Sequence, residues 1–100
     1  MFSFAVFISG NGSNLQAIIN ATNNGQIEGK ICCVLSNKEE AFGLVRAREA
    51  NIPTIVIEHQ NFETREKFET AILKSLKSYQ IDLIVLAGFM RILSPVLIKP

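Results

Sequence analysis

Short apolar runs alternate along the chain with stretches whose apolar residues recur every three or four positions. The runs cover residues 4–8, 31–35, 54–57 and 83–87. Because each run is apolar throughout, it is typical of a strand that is covered on both faces. The helical spacing joins Leu15, Ile18 and Ile19, covers residues 41–50, and joins Phe68, Ile72, Leu76 and Tyr79. The alternation predicts a βαβαβαβ unit with parallel strands.

The order of these elements predicts the topology of the sheet. Right-handed crossovers that place helices on both faces give the strand order 3-2-1-4, which is half of a Rossmann-like α/β fold. In that order a crevice opens outside the carboxyl ends of strands 1 and 4, lined by residues 9–14 and 88–94. We therefore expect residues 1–100 to form a single Rossmann-like unit with a ligand-binding crevice. Ser94 and Pro95 are typical of the start of a further helix, so the unit is expected to be truncated.

The composition favours one globular domain that binds small molecules. The chain has 100 residues, of which 48% are hydrophobic, and that is enough to form a core. Ten basic and nine acidic residues are scattered along it and leave a net charge of +1, which disfavours nucleic acid as a partner. The longest apolar run, residues 83–90, is shorter than the ~18 residues of a membrane helix. The amino terminus lacks the basic lead-in of a signal peptide, so we expect a cytoplasmic protein without a membrane partner.

The cysteines are the neighbouring residues Cys32 and Cys33 in the second apolar run. Adjacent residues of a strand point to opposite faces of the sheet, and no second pair is present to complete a metal site. We interpret both as buried apolar thiols in a reducing compartment and expect no bound metal. A redox or metal-binding role is the alternative.

The segment SGNGSNLQAII, residues 9–19, places two glycines and a Ser-Asn pair between the first strand and the first helix. Gly10 and Gly12 permit positive φ angles, and the N–H groups that follow lack partners within the helix, which predicts an anion site. Ser13 and Asn14 would add side-chain hydrogen bonds. A single phosphate fits better than a dinucleotide, because Leu15 stands where that fingerprint needs a small residue. The alternative is a simple turn in which Ser13 or Asn14 caps the helix.

The segment GFMRILS, residues 88–94, carries large apolar side chains at the mouth of the predicted crevice. Pockets for flat aromatic ligands combine such apolar walls with a few backbone donors and acceptors. The segment therefore predicts part of a pocket for an aromatic ligand. The alternative is that Phe89, Ile92 and Leu93 only pack the next helix against the sheet.

Arg65 falls in the first turn of the third predicted helix. A cation there opposes the helix dipole, so its placement favours another purpose, such as binding a carboxylate. A solvated side chain, or a surface pair with Glu69, is the alternative. His59 is the only histidine, and we expect no catalytic role for it because no nucleophile or paired carboxylate is evident nearby.

Three segments carry a family resemblance: ISGNGSNLQAII, LSNKEEAFGLVRA and DLIVLAGFMRILSP. They resemble the amino-terminal half of the phosphoribosylglycinamide formyltransferases, the folate-dependent GAR transformylases of purine biosynthesis. The resemblance covers the whole chain. It implies an enzyme that transfers a formyl group from 10-formyltetrahydrofolate, as co-substrate, to the amino group of glycinamide ribonucleotide.

The resemblance also implies roles for particular residues. The ribonucleotide phosphate would be held by Gly12, Ser13 and Asn14. The folate would be bound at its glutamate tail by Arg65, and part of its pterin pocket would be formed by Met90, Arg91, Ile92 and Leu93. The pocket would also use backbone hydrogen bonds of the loop at Gly88.

The catalytic residues that the resemblance implies are not in this chain. The family moves a proton off the attacking amine and stabilises an oxyanion with an Asn, a His and an Asp, which are expected in segments after Pro100. The chain alone is therefore expected to be inactive. The alternative is a stand-alone, non-catalytic α/β phosphate-binding module. An apolar fourth strand at the edge of the sheet is also expected to favour self-association.

Overall fold

Strands and helices alternate in the computed structural model, which describes residues 2–87. The strands are β1 (Ser3–Ile8), β2 (Lys30–Ser36), β3 (Thr54–Val56) and β4 (Leu83–Leu86). The helices are α1 (Ser13–Asn23), α2 (Gly43–Glu49) and α3 (Arg65–Leu76), and a short 3₁₀ turn, His59–Asn61, precedes α3. The four strands and three helices lie where the apolar pattern predicts them, whereas the 3₁₀ turn was not predicted.

The four strands form one parallel sheet in the order β3-β2-β1-β4. The predicted order is confirmed. In the register of the sheet, Val6 of β1 pairs with Val34 of β2 on one side and with Val85 of β4 on the other. β1 is therefore an inner strand, and its carboxyl end lies between the carboxyl ends of β2 and β4.

The helices cover both faces of the sheet, as predicted. On one face, Val6 and Ile8 pack in a buried cluster with Leu15 of α1 and Leu44 of α2. On the opposite face, Phe7 belongs to a second cluster with Phe68, Ile72 and Leu76 of α3. Because successive residues of β1 enter different cores, the whole run from Phe4 to Ile8 is buried.

β4 departs from the expectation that every strand is covered on both faces. Its terminal residues Leu83 and Leu86 are 50% and 51% exposed, because β4 lies at the edge of the sheet that residues 2–87 form. Exposed apolar side chains on an edge strand favour pairing with another chain. Self-association through β4 stays a prediction.

No helix within residues 2–87 combines the length and apolar character that crossing a membrane requires. In the same residues, no three His, Cys, Asp or Glu side chains come together as ligands for a metal ion.

The two cysteines differ in their environments. Cys33 is fully buried in β2, whereas Cys32 is only partly buried and its Sγ donates to the carbonyl oxygen of Phe4 at 3.4 Å. The prediction of a buried thiol is therefore confirmed for Cys33 and only partly for Cys32. Burial, aided by the neighbouring Cys32, raises the pKa of the Cys33 thiol from 9.0 to about 12.

The raised pKa of Cys33 predicts a loss of stability in alkali. The folded chain keeps a proton that the unfolded chain releases, so the stabilisation is complete below pH 9 and is lost between pH 9 and about 12. We expect the free energy of unfolding of wild type to fall faster than that of Cys33→Ala over this window, by up to ~1.4 kcal/mol per pH unit. Urea unfolding of wild type and Cys33→Ala at several pH values measures the two slopes. Cys32→Ala should keep the steep fall, and identical slopes for wild type and Cys33→Ala would contradict the prediction.

Candidate functional site

The loop between β1 and α1 lies at the carboxyl end of the inner strand. Ser9 is buried at its start, whereas Asn11 and Ser13 are exposed. Gly12 is the N-cap residue of α1, with φ 79° and ψ 26° in the left-handed region, and as a glycine it has no side chain with which to cap the helix. The alternative in which Ser13 or Asn14 caps the helix is therefore wrong, because the backbone of Gly12 makes the turn.

The backbone N–H groups at the start of α1 are the donors of the candidate site. The Ser13 N–H donates to Oδ1 of Asn11 at 2.8 Å, and the Gln16 N–H donates to the carbonyl oxygen of Gly12 at 2.8 Å. Within residues 2–87, no acceptor lies against the N–H groups of Gly12, Asn14 and Leu15. Unpaired donors at the positive end of a helix suit an anion. The predicted residues Gly12–Asn14 therefore lie at the start of α1, and their role as a phosphate site stays a prediction.

A close contact between two glycines fixes this loop against α2. A Cβ atom built on Gly12 would lie 2.6 Å from Cα of Gly43, the first residue of α2. A Cβ atom on Gly43 would in turn meet the side chain of Ile8. The Gly43 N–H also donates to the carbonyl oxygen of Gly10 at 3.1 Å. The role of Gly43 was not predicted from the sequence. The signal that could have indicated it was a glycine near the start of the second predicted helix.

Side chains from the neighbouring elements also bind the loop. Oγ of Ser9 donates to Oδ1 of Asn37 at 2.6 Å in a buried contact between the loops after β1 and β2. Nε of Arg46, on α2, donates to the carbonyl oxygen of Asn11 at 2.7 Å. These contacts could not be predicted from sequence, since the paired residues are 28 and 35 positions apart. The loop is therefore held from two sides.

Arg65 is the predicted folate-binding residue that the structure describes. It is the first residue of α3 and is exposed, and Thr64 caps the helix by accepting from the Lys67 N–H at 3.1 Å. Glu69 is only 2% exposed and so is not a surface partner for Arg65. Within residues 2–87, the ion pair in this part of α3 joins Lys67 to Glu63 at 3.1 Å. Arg65 is thus available to a ligand.

The remaining predicted folate-binding residues lie outside the described residues. They are Met90, Arg91, Ile92 and Leu93, together with the rest of the segment 88–94 that was expected to form the second wall of the crevice. Their roles stay predictions.

Comparison with known proteins identifies the family. The sequence model of a family described as formyl transferase matches residues 2–100. The chain belongs to the formyl transferase family. The four-stranded sheet and its two helical layers are therefore the part of a formyl transferase domain that these residues form.

Individual members of the family are closely similar to the chain. It is 52% identical over 95 residues to a phosphoribosylglycinamide formyltransferase of Haemophilus influenzae, covering 95% of the chain and 45% of that protein. The corresponding Escherichia coli protein is 48% identical over 97 residues, with 97% and 46% covered. A solved phosphoribosylglycinamide formyltransferase of Coxiella burnetii, in complex with CHES, has a TM-score of 0.90 at 47% identity, with 96% and 45% covered. The chain spans about half the length of these relatives.

The glycine contact predicts different outcomes for two alanine substitutions. Gly12 and Gly25 both have positive φ, but no heavy atom lies within 4 Å of a Cβ built on Gly25. We expect Gly25→Ala to lower the free energy of unfolding by ~1 kcal/mol through backbone strain alone. Gly12→Ala adds the contact with Gly43 and should cost ~1–3 kcal/mol more. Urea unfolding of both variants tests this, and equal losses would show that the contact relaxes without cost.

Proposed function

We propose that the chain is the amino-terminal, substrate-binding part of a phosphoribosylglycinamide formyltransferase. The reaction would transfer the formyl group of 10-formyltetrahydrofolate to the amino group of glycinamide ribonucleotide in purine biosynthesis. The observation that carries the proposal is that the N–H groups of Gly12, Asn14 and Leu15 have no acceptor within residues 2–87, in a chain 52% identical to a relative of that name. The proposed compartment is the cytoplasm.

The ribonucleotide phosphate would bind at the start of α1. The N–H groups of Gly12, Asn14 and Leu15 are without acceptors among the described residues and can donate to phosphate oxygens. The Ser13 side chain is exposed beside them and adds a hydroxyl donor. The Ser13 N–H already donates to Asn11, so we expect it to stay in the turn. The phosphate is remote from the reacting amine, so this part of the site orients the substrate.

The folate would contact α3 and the segment that follows β4. The exposed Arg65 guanidinium, without an acidic partner among residues 2–87, suits a carboxylate of the glutamate tail. The residues proposed for the pterin pocket are Met90, Arg91, Ile92 and Leu93. When bound, 10-formyltetrahydrofolate supplies the formyl group, while this chain's residues bind and orient.

The transfer of a formyl group needs two further contributions. A base must remove a proton from the attacking amine, and hydrogen-bond donors must stabilise the oxyanion that forms on the formyl carbon. In the proposed enzyme these groups are an Asn, a His and an Asp in segments expected after Pro100. The 100 residues alone are therefore proposed to bind without catalysing.

Binding of glycinamide ribonucleotide to the chain tests the proposed phosphate site. We expect the ribonucleotide to shift the backbone amide resonances of Gly12, Asn14 and Leu15 in ¹H–¹⁵N spectra of the 100-residue chain. The matched ligand is the ribonucleoside, which lacks only the phosphate and should bind at least ~10-fold more weakly. Equal binding of the two ligands, or shifts confined to other residues, would contradict the phosphate site.

A chimera tests the proposed activity and the role of Arg65. Residues 1–100 would replace the matching segment of the Haemophilus influenzae relative, and formyl transfer would be followed by the absorbance change of the folate. We expect the chimera to be active and the 100-residue chain to be inactive. Arg65→Ala should raise the KM for the folate several-fold and leave the KM for the ribonucleotide unchanged, since only the folate carries the carboxylate.

Lys67→Ala is the control for Arg65→Ala, because it removes an exposed cation from the same turn of α3. It should leave both KM values unchanged. An equal rise of both KM values in Arg65→Ala would indicate a structural role. Formyl transfer by the 100-residue chain itself would overturn the proposed location of the catalytic residues.

A further inference from the structure

Arg46 binds both ends of the segment that contains the proposed phosphate site. Its Nε donates to the carbonyl oxygen of Asn11 at 2.7 Å, immediately before Gly12. Its Nη1 donates to Oε1 of Gln16 at 3.4 Å, one turn into α1. One guanidinium from α2 therefore bridges residues 11 and 16, and residues 12–14 lie between them.

The Arg46 side chain is itself held in place. Its guanidinium carbon lies 5.0 Å from the centre of the Phe42 ring, within the range of a cation–π contact. Its Cδ lies 3.3 Å from the position that a Cβ on Gly12 would take, so the stem of the side chain packs along the loop. An arginine that is fixed at both its stem and its ring-stacked head can position the groups to which it donates.

The contacts of Gln16 extend this support into α1. The Gln16 N–H donates to the carbonyl oxygen of Gly12, while its side-chain amide donates to Oδ1 of Asn20 at 3.0 Å. Arg46 therefore binds a residue that is tied both to the loop and to the next turn of the helix. A shift of the loop relative to α1 would break at least one of these bonds.

We propose that Arg46 is a positioning residue that fixes the loop at residues 11–14 so that its N–H groups converge on one anion. This inference rests on the proposed function, because it assigns Arg46 a purpose through the ribonucleotide phosphate site. Arg46 acts through the Asn11 carbonyl and the Gln16 side chain, without binding the phosphate itself. The bonds to Asn11 and Gln16 come from two nitrogens of one planar guanidinium, and the single ammonium group of a lysine cannot supply both in that geometry.

Three variants of the 100-residue chain separate positioning from simple charge. Arg46→Met removes the hydrogen bonds and the charge, Arg46→Lys keeps the charge but loses the fork, and Arg48→Met removes an exposed charge from the same helix. Each would be titrated with inorganic phosphate while the amide resonances of residues 12–15 are followed. We expect Arg46→Met and Arg46→Lys to bind phosphate about tenfold more weakly than wild type, and Arg48→Met to bind equally well.

The ligand-free proteins provide a second measurement that does not depend on phosphate binding. In both Arg46 variants we expect lower backbone order parameters at residues 11–14 than in wild type, with the thermal midpoint and the rest of α1 unchanged. If the loop loosens in both variants but wild type does not bind phosphate, Arg46 still positions the loop. The proposed phosphate site would then be rejected.

Several outcomes would overturn the inference. If Arg46→Lys binds phosphate as tightly as wild type while Arg46→Met binds it weakly, the contribution of Arg46 to phosphate binding is its charge. Equal weakening in Arg48→Met would lead to the same conclusion. Unchanged order of the loop in both Arg46 variants would show that the loop does not need this side chain.

Discussion

The contact between Gly12 and Gly43 is the constraint on which the geometry of the site depends. Gly12 has no room for a Cβ atom against Cα of Gly43, and a Cβ atom on Gly43 would meet the Ile8 side chain. The approach lets the Gly43 N–H bond to Gly10, and it places Arg46, one turn further along α2, within reach of the Asn11 carbonyl. The orientation of the loop is thus set by α2, which packs on the sheet through Leu44.

The order of the strands gives this loop a rigid base. β1 pairs with β2 on one side and β4 on the other, and its residues enter the cores on both faces. A buried inner strand moves little, so a loop at its carboxyl end starts from a fixed point. The buried hydrogen bond between Ser9 and Asn37 ties that point to the neighbouring strand. The N–H groups at the start of α1 that have no acceptor within residues 2–87 therefore have a defined direction before any ligand arrives.

The elements and their order were predictable from sequence because each strand is a local apolar run and each helix has a local period. The contacts that shape the site were not predictable. Asn11 and Arg46 are far apart in the chain, and a single sequence does not indicate which distant residues come into contact. Ser13 was a reasonable cap by residue preference, but the positive φ of Gly12 makes the turn instead. The apolar pattern of β4 predicted a strand covered on both faces. The pattern alone could not show that Leu83 and Leu86 are half-exposed at the edge of the sheet.

Rigidity at a phosphate site has a consequence for a reaction in which the phosphate takes no part. In the proposed formyl transfer, contacts to the phosphate are the same in the ground state and the transition state, so by themselves they affect only substrate binding. A loop that holds the phosphate in one orientation also limits where the attacking amine can lie, and that restriction lowers the entropic cost of reaching the transition state. In the proposed enzyme, the glycine contact and the Arg46 bridge would therefore help the chemistry by limiting the positions that the bound substrate can take.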